Sequence, residues 1–179
     1  MKRIKLHDKE FELFLTYPEI CEAVKNIARL INEDLKNADT PLFLSILNGS
    51  FMFAGDLMKH IELDCELSFM KLSSYIGTNT SEKVNRLIGL DTDVEGRTVV
   101  VIEDVVDSGI TLEYIVDMLS ELKPKELKIA TLLFKPDSYS KNLKIDYIGL
   151  RIPNNFIVGY GLDYNESGRN RKDIYKLVE

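Results

Sequence analysis

The run Val99-Val100-Val101-Ile102-Glu103-Asp104-Val105-Val106-Asp107-Ser108-Gly109-Ile110-Thr111 carries an apolar β-branched segment straight into two adjacent acids and a small-residue turn. Four β-branched residues without polar alternation fit a strand buried on both faces, as parallel sheets require. Ligands of such sheets bind beyond the carboxyl ends of the strands, which is where Glu103 and Asp104 arrive. Asp107 to Thr111 then lead into a helical pattern with apolar residues at Ile115, Val116, Leu119 and Leu122, stopped by Pro124. A turn at a helix N-terminus offers an anion free backbone N–H groups and the positive end of the helix dipole. Gly109 permits close backbone approach, and Ser108 and Thr111 add hydroxyls. No lysine or arginine lies in this turn, so a bound phosphate would rest on backbone dipoles unless a metal ion completed the site. Vicinal carboxylates beside a phosphate can carry Mg²⁺, a hard cation that is usually shared with substrate phosphates. The alternative is that the acids are first-turn helix charges with Asp107 as a cap. Against it, Glu103, Asp104 and Asp107 crowd the mouth of an apolar strand and repel one another.

Four further segments carry polar groups suited to a site. Leu47-Asn48-Gly49-Ser50 repeats the order strand, small polar turn, helix, although Asn-Gly is also a common turn pair with no ligand. Ser73 to Arg86 is polar and rich in turn formers, which reads as a long connection, either a lid or a hairpin with an exposed tip. Lys135 follows the apolar segment Ile129 to Phe134 and precedes Pro136, so it stands at a strand's carboxyl end. Phe156 could be plain core, Asp163 could pair with a basic residue, and Arg169 could belong to a solvated tail.

The segment from Val99 to Thr111 resembles the phosphoribosyl-diphosphate (PRPP) signature of the type I phosphoribosyltransferases. Leu132-Leu133-Phe134-Lys135-Pro136 and Phe156-Ile157-Val158-Gly159-Tyr160-Gly161-Leu162-Asp163-Tyr164-Asn165-Glu166 follow in an order similar to the hypoxanthine-guanine branch, and the likeness runs from about Pro41 to Arg169. The resemblance implies purine salvage by Mg²⁺-dependent transfer of a phosphoribosyl group from PRPP to hypoxanthine, and to guanine. It gives Asp107 the role of general base. Ser108, Gly109, Ile110 and Thr111 would bind the phosphate with Asp107, and Glu103 and Asp104 the ribose hydroxyls. Asn48, Gly49 and Arg169 would bind the diphosphate, the Leu47 to Gly49 turn often through a non-proline cis bond. Lys135 would donate to the 6-oxo group of the purine, Phe156 stack on it, and Ile157 and Asp163 complete its pocket. Glu103, Asp104 and Asp163 would be the metal ligands, and Ser74 and Tyr75 part of the closing lid. Where the family usually has Lys or Arg this chain has Asn48, which leaves the backbone role intact and removes a side-chain charge. A xanthine or orotate enzyme and a PRPP-sensing regulator are the competing readings; Lys135 and Phe156 disfavour orotate, and the complete set of matched positions disfavours the regulator.

These residues need a scaffold. Thr16-Tyr17-Pro18-Glu19 is a capping box opening a helix with Ile20, Val24, Ile27, Leu30 and Ile31 on one face, ending near 37–39. Leu42 to Leu47 reads as a strand and Phe51 to Ile61 as a helix, with further strands at Leu63 to Leu72, Val99 to Val105, Leu127 to Phe134, Tyr147 to Ile152 and Ile157 to Tyr160. Alternating strands and helices predict an α/β fold with a mostly parallel, doubly wound sheet. The resemblance adds a small hood from about residues 1–15 and 153–179 to a single domain spanning 1–179, and implies a homodimer or homotetramer. At 179 residues the chain can bury one sizeable core. A net charge of −6 with scattered lysines disfavours a nucleic-acid surface. No run is apolar enough for a signal peptide or a membrane span, so a cytoplasmic chain with no membrane partner is expected. Cys21 and Cys65 lack a paired motif and read as reduced thiols, and His7 and His60 as structural or solvated.

Overall fold

The β-branched run at 99–102 becomes the middle of a parallel sheet. A computed structural model describes residues 2–76, 83–88, 90 and 92–178, the stretches 73–76 and 83–88 by their backbone alone. Strands β1 (Arg3–Leu6) and β2 (Lys9–Leu15) precede helix α1 (Tyr17–Asp34), then β3 (Leu42–Leu47), α2 (Phe51–Met58), β4 (Glu66–Ile76) and β5 (Lys83–Ile88). There follow β6 (Thr98–Val106), α3 (Ile110–Glu121), β7 (Glu126–Phe134), β8 (Tyr147–Arg151), β9 (Ile157–Val158) and β10 (Ile174–Leu177).

Among the described residues the strands form a sheet of order β5-β4-β3-β6-β7-β8 and a smaller one of order β1-β2-β10-β9. In the first, β4, β3, β6, β7 and β8 run parallel and β5 closes the edge antiparallel. The two faces are covered as a doubly wound sheet requires. Ile27, Ile31, Phe53 and Leu57 of α1 and α2 pack on Phe43, Val100 and Ile102, while Ile115 and Leu119 of α3 pack on Leu44, Val99 and Val101. The smaller sheet is antiparallel and has its own core of Leu6, Phe11, Val158 and Tyr175. It forms the hood. Among the described residues no helix is long and apolar enough to cross a membrane.

The capping box forms as read, with Glu19 Oε2 accepting from Thr16 N at 2.8 Å. The helix nevertheless stops at Asp34, short of 37–39, because Leu35 turns into the core and Asp34 is held by the Tyr147 hydroxyl at 2.5 Å and Lys128 at 3.2 Å. Helix α2 likewise ends at Met58, where His60 N closes a turn on the Leu57 carbonyl at 2.9 Å. The polar stretch 73–86 takes up in part the hairpin, one of the two forms read from its composition, since β4 continues to Ile76 and pairs antiparallel with β5 in the register Ser74↔Asn85, Tyr75↔Val84. Edge pairing satisfies backbone groups that a bare loop would leave to water. Residues 77–82 and the side chains of Ser74 and Tyr75 lie outside the described residues. Strands β1, β2 and β10 pair with one another, β2 lying between β1 and β10.

The cluster of Leu6, Phe11, Val158 and Tyr175 is small, while Ile157 and Ile174 of the same strands pack into the main core, so a defect at Phe11 should be felt first in the hood. Phe11→Ala, which empties a fully buried site, is expected to cost about 3–5 kcal/mol. Hydrogen exchange should quicken in β1, β2 and β10 before it does in β3 and β6. Uniform acceleration across both sheets would show one cooperative core instead.

Candidate active site

The order β4-β3-β6 puts a topological switch point between β3 and β6, where the chain leaves one strand toward one edge and the other toward the opposite edge. Crevices at such points take ligands, because the two turns diverge to opposite faces. The turns concerned are Leu47 to Ser50 and Glu103 to Gly109, brought level by the pairing Ser45↔Ile102. The Leu47–Asn48 peptide bond is cis. Gly49 sits so close to Asp104 that a Cβ would lie 1.6 Å from its Oδ2, and the same glycine's carbonyl would lie 2.0 Å from a Cβ on Gly161. Three separate segments therefore meet on Gly49. Ser50 fastens the turn from below, its buried hydroxyl lying 2.7 Å from Ser45 Oγ and donating to the Ile46 carbonyl.

The other turn caps α3. Gly109 is the N-cap with φ +82°, and Glu113 N closes the first helical bond to its carbonyl at 2.9 Å. Glu103, Val105, Val106, Asp107, Ser108, Gly109, Thr111 and Leu112 line a cavity of about 130 Å³ there. The Ile110 side chain points away, being 62% exposed, so only its backbone is available to a ligand in the turn.

Charge is concentrated at the strand mouth. Burial, and then the neighbouring Asp104, push the Glu103 carboxyl well above its usual range. Burial also pushes Asp104 up to about 6, although the Val105 N–H donates to its Oδ1 at 2.8 Å. Arg169 draws Asp104 down and Asp163 pushes it up, so both hood residues bear on the same carboxylate. Arg169 and Asp163 are themselves paired at 2.7 Å, with Arg169 Nη1 donating to the Gly161 carbonyl at 2.9 Å. Among the described residues no group of three or more His, Cys, Asp or Glu comes together as a metal cage.

Lys135 and Asp107, given separate roles by the sequence, are ion-paired at 2.7 Å. Lys135 is buried, and its N–H donates to the Val106 carbonyl at 3.0 Å, which fixes the end of β7 beside that of β6. Phe156 is 47% exposed and leans on Phe11 and Tyr164, with centroids 6.2 and 5.9 Å away. Ile157 is buried in β9 opposite Lys176.

Sequence reasoning missed the device that holds the hood. Asp56 on α2 accepts from the Tyr160 hydroxyl at 2.7 Å, the Tyr17 hydroxyl at 3.3 Å and Lys59 at 2.7 Å. Burial, and then Asp56, push the Tyr160 phenol up, so it remains a donor. Tyr160 lay inside a recognised stretch, but nothing local to Asp56 marks it as its partner.

The chain's sequence matches the Phosphoribosyl transferase domain family over residues 12–165. The hypoxanthine-guanine phosphoribosyltransferase of Bacillus subtilis (strain 168) is 41% identical over 165 residues, covering 92% of this chain and 91% of its own. A hypoxanthine phosphoribosyltransferase of Staphylococcus aureus superposes with TM-score 0.85 at 36% identity, covering 93% of this chain and 91% of that one. One from Trypanosoma cruzi, studied for the role of its C-terminal region in oligomeric state and activity, superposes with TM-score 0.85 at 31% identity, covering 98% and 95%. With the family match spanning most of the chain and the sheet, hood and turns disposed as described, this protein belongs to the phosphoribosyltransferase family.

Proposed function

We propose that this chain transfers the phosphoribosyl group of PRPP to hypoxanthine, and to guanine, giving inosine or guanosine monophosphate and diphosphate in purine salvage. The observation that carries this reading is the Lys135–Asp107 pair at the mouth of the phosphate turn, 2.7 Å apart. A 6-oxopurine meets both needs of that pair. Its oxygen accepts from Lys135, and its imidazole side presents a proton to Asp107 once the lysine has been drawn away. A ring bearing an amino group at that position offers Lys135 no acceptor.

The step is a displacement at carbon 1 of the ribose. A purine nitrogen forms the new bond as the bond to diphosphate breaks, the electron pair leaving with the diphosphate. Asp107 takes the proton from the other imidazole nitrogen. Ser108, Gly109, Ile110 and Thr111 hold the 5′-phosphate on backbone N–H groups and hydroxyls at the α3 N-terminus. Asn48 and Gly49 offer amides to the diphosphate, and Arg169 exchanges Asp163 for it. Phe156 stacks on the purine, and Ile157 and Asp163 close its pocket. Glu103 and Asp104 face the ribose hydroxyls. The Ser74 and Tyr75 segment closes over the centre and keeps water from the activated ribose.

Mg²⁺ suits this set of residues. Two desolvated carboxylates with raised protonation, Glu103 and Asp104, ask for a cation, and Asp163 lies within electrostatic reach of Asp104. With no cage of three side chains among the described residues, the remaining ligands would be diphosphate oxygens and water, as Mg²⁺ prefers. When bound, the ion neutralises negative charge developing on the leaving group. On this reading the protein works in the cytoplasm, as a homodimer or homotetramer.

The direct test is turnover of purified protein with PRPP and each purine. Nucleotide should form from hypoxanthine and guanine only with a divalent cation; full turnover in excess chelator would remove the metal, and tight RNA binding with no turnover would favour a regulator.

A pH experiment isolates Asp104. A carboxyl raised in the folded state costs little below about pH 4, where it is protonated folded or unfolded, and the penalty grows between about pH 4 and 6 and is complete above that. In chelator, Asp104→Asn should therefore stabilise the protein by roughly 2–3 kcal/mol at about pH 7.5 and by only about 1 kcal/mol at pH 4.5. Equal urea-midpoint shifts at both values would contradict it.

The paired residues should separate kinetically. Asp107→Asn is expected to lower kcat on the order of 10²-fold with PRPP affinity little changed. Lys135→Ala should weaken hypoxanthine use by roughly 1.5–3 kcal/mol, the worth of a charge-assisted hydrogen bond. Equal losses for PRPP and purine in Lys135→Ala would make the lysine a structural residue.

A further inference from the structure

A cation reaches the phosphate turn from a segment that the reaction above leaves unused. Residues 138–141, beyond the lysine at the end of β7, lie across the turn. Ser140 N and Oγ both donate to the Ser108 carbonyl at 3.2 Å. The Tyr139 ring sits edge-on to Phe134, centroids 5.2 Å apart, and its hydroxyl donates to the Leu143 carbonyl at 2.8 Å. A Cβ on Gly109 would come within 2.5 Å of Tyr139 Cε2 and 3.0 Å of Lys141 Cγ, so the stem of Lys141 runs directly beside the N-cap of α3. Its ammonium ends on Glu113, 2.5 Å away. Glu113 is the acid in the first turn of that helix.

We propose that Lys141 is the counter-charge that keeps the phosphate turn receptive to a dianion, by neutralising Glu113. The inference rests on the reading that residues 107–111 hold a phosphate group. An acid in the first turn suits the empty helix, whose N-terminus carries positive partial charge. A phosphate claims that same charge, and the two anions then repel across one helical turn. Lys141 removes the conflict without entering the cavity, whose lining does not include it. Its side chain is 25% exposed and that of Glu113 40%, so salt screens the interaction and its effect is graded.

A double-mutant cycle reads this out as the KM for PRPP. At low ionic strength Lys141→Met should raise that KM about fivefold, with kcat and the KM for hypoxanthine held within about twofold. Glu113→Gln alone should lower it, and the double variant should return to within about twofold of the wild type. Lys141→Arg should restore the wild-type value, and the Lys141→Met penalty should shrink as salt is raised. A double variant as weak as Lys141→Met would mean that the lysine touches the phosphate itself and would overturn the counter-charge. So would an unchanged KM in Lys141→Met. Thr111→Val separates the two layers: a raised KM there beside an unchanged Lys141→Met sinks only the counter-charge, whereas an unchanged KM in Thr111→Val sinks the phosphate reading and the role of Lys141 with it.

Discussion

Two carboxylates, Glu103 and Asp104, are carried out of water by the end of a buried parallel strand, and the surroundings of the site answer to that placement. Charges buried without a partner are costly, and such groups shift toward the neutral form instead. Asp104 spends part of its hydrogen-bonding capacity on the Val105 N–H and presses its other oxygen against Gly49, where no side chain fits. Gly161 then closes on Gly49 from the hood, again at a distance that excludes a Cβ. The three-way contact is steric in form and electrostatic in consequence. It holds both acids at the mouth of the strand, beside the phosphate turn.

Three cations around the crevice are held by carboxylates: Lys135 by Asp107, Arg169 by Asp163 and Lys141 by Glu113. This is the inexpensive resting arrangement for basic groups that must be partly desolvated, since an unpaired buried charge would destabilise the fold. It also sets up exchange. On the proposed function a carbonyl would take the place of Asp107 at Lys135, and the diphosphate that of Asp163 at Arg169, so neither cation would be left alone, whereas Lys141 stays on Glu113. For Asp107 that release would turn a structural partner into a base.

The hood needs a fixed seat if Phe156, Asp163 and Arg169 are to meet the sheet's edge. Asp56 supplies it by gathering Tyr160 from the hood, Tyr17 from the start of α1 and Lys59 from the end of α2. The three elements already share one apolar cluster, which includes Ile20, Phe53 and Ile174, and the carboxylate adds a directional tie at its edge. On the opposite side of the crevice, the Ser140 bonds to Ser108 tie the lysine-bearing loop to the phosphate turn. The site is thus clamped at both ends by polar contacts and filled in the middle by backbone.

What the sequence determined by itself was everything whose cause is local. The β-branched run at 99–102, the glycine at 109 and the helical spacing of Ile115 and Leu119 act within a few residues of one another, so strand, turn and helix were legible, and with them the parallel doubly wound sheet. The capping box at Thr16 was legible for the same reason. Element ends were less so, because Leu35 and Asp34 obey partners on other strands. The hood strands β1, β2 and β10 escaped the sequence reading, since β1 and β2 are rich in charged residues and all three gain their stability by pairing across the two ends of the chain. The hairpin of β4 and β5 could not be told from a lid in the sequence, because polar edge strands look like turns until they pair. Only the tertiary structure decided which charges face each other. Lys135 and Asp107 are 28 positions apart and Tyr160 and Asp56 104 apart, and strand order, which no window of sequence contains, is what sets such distant side chains against one another.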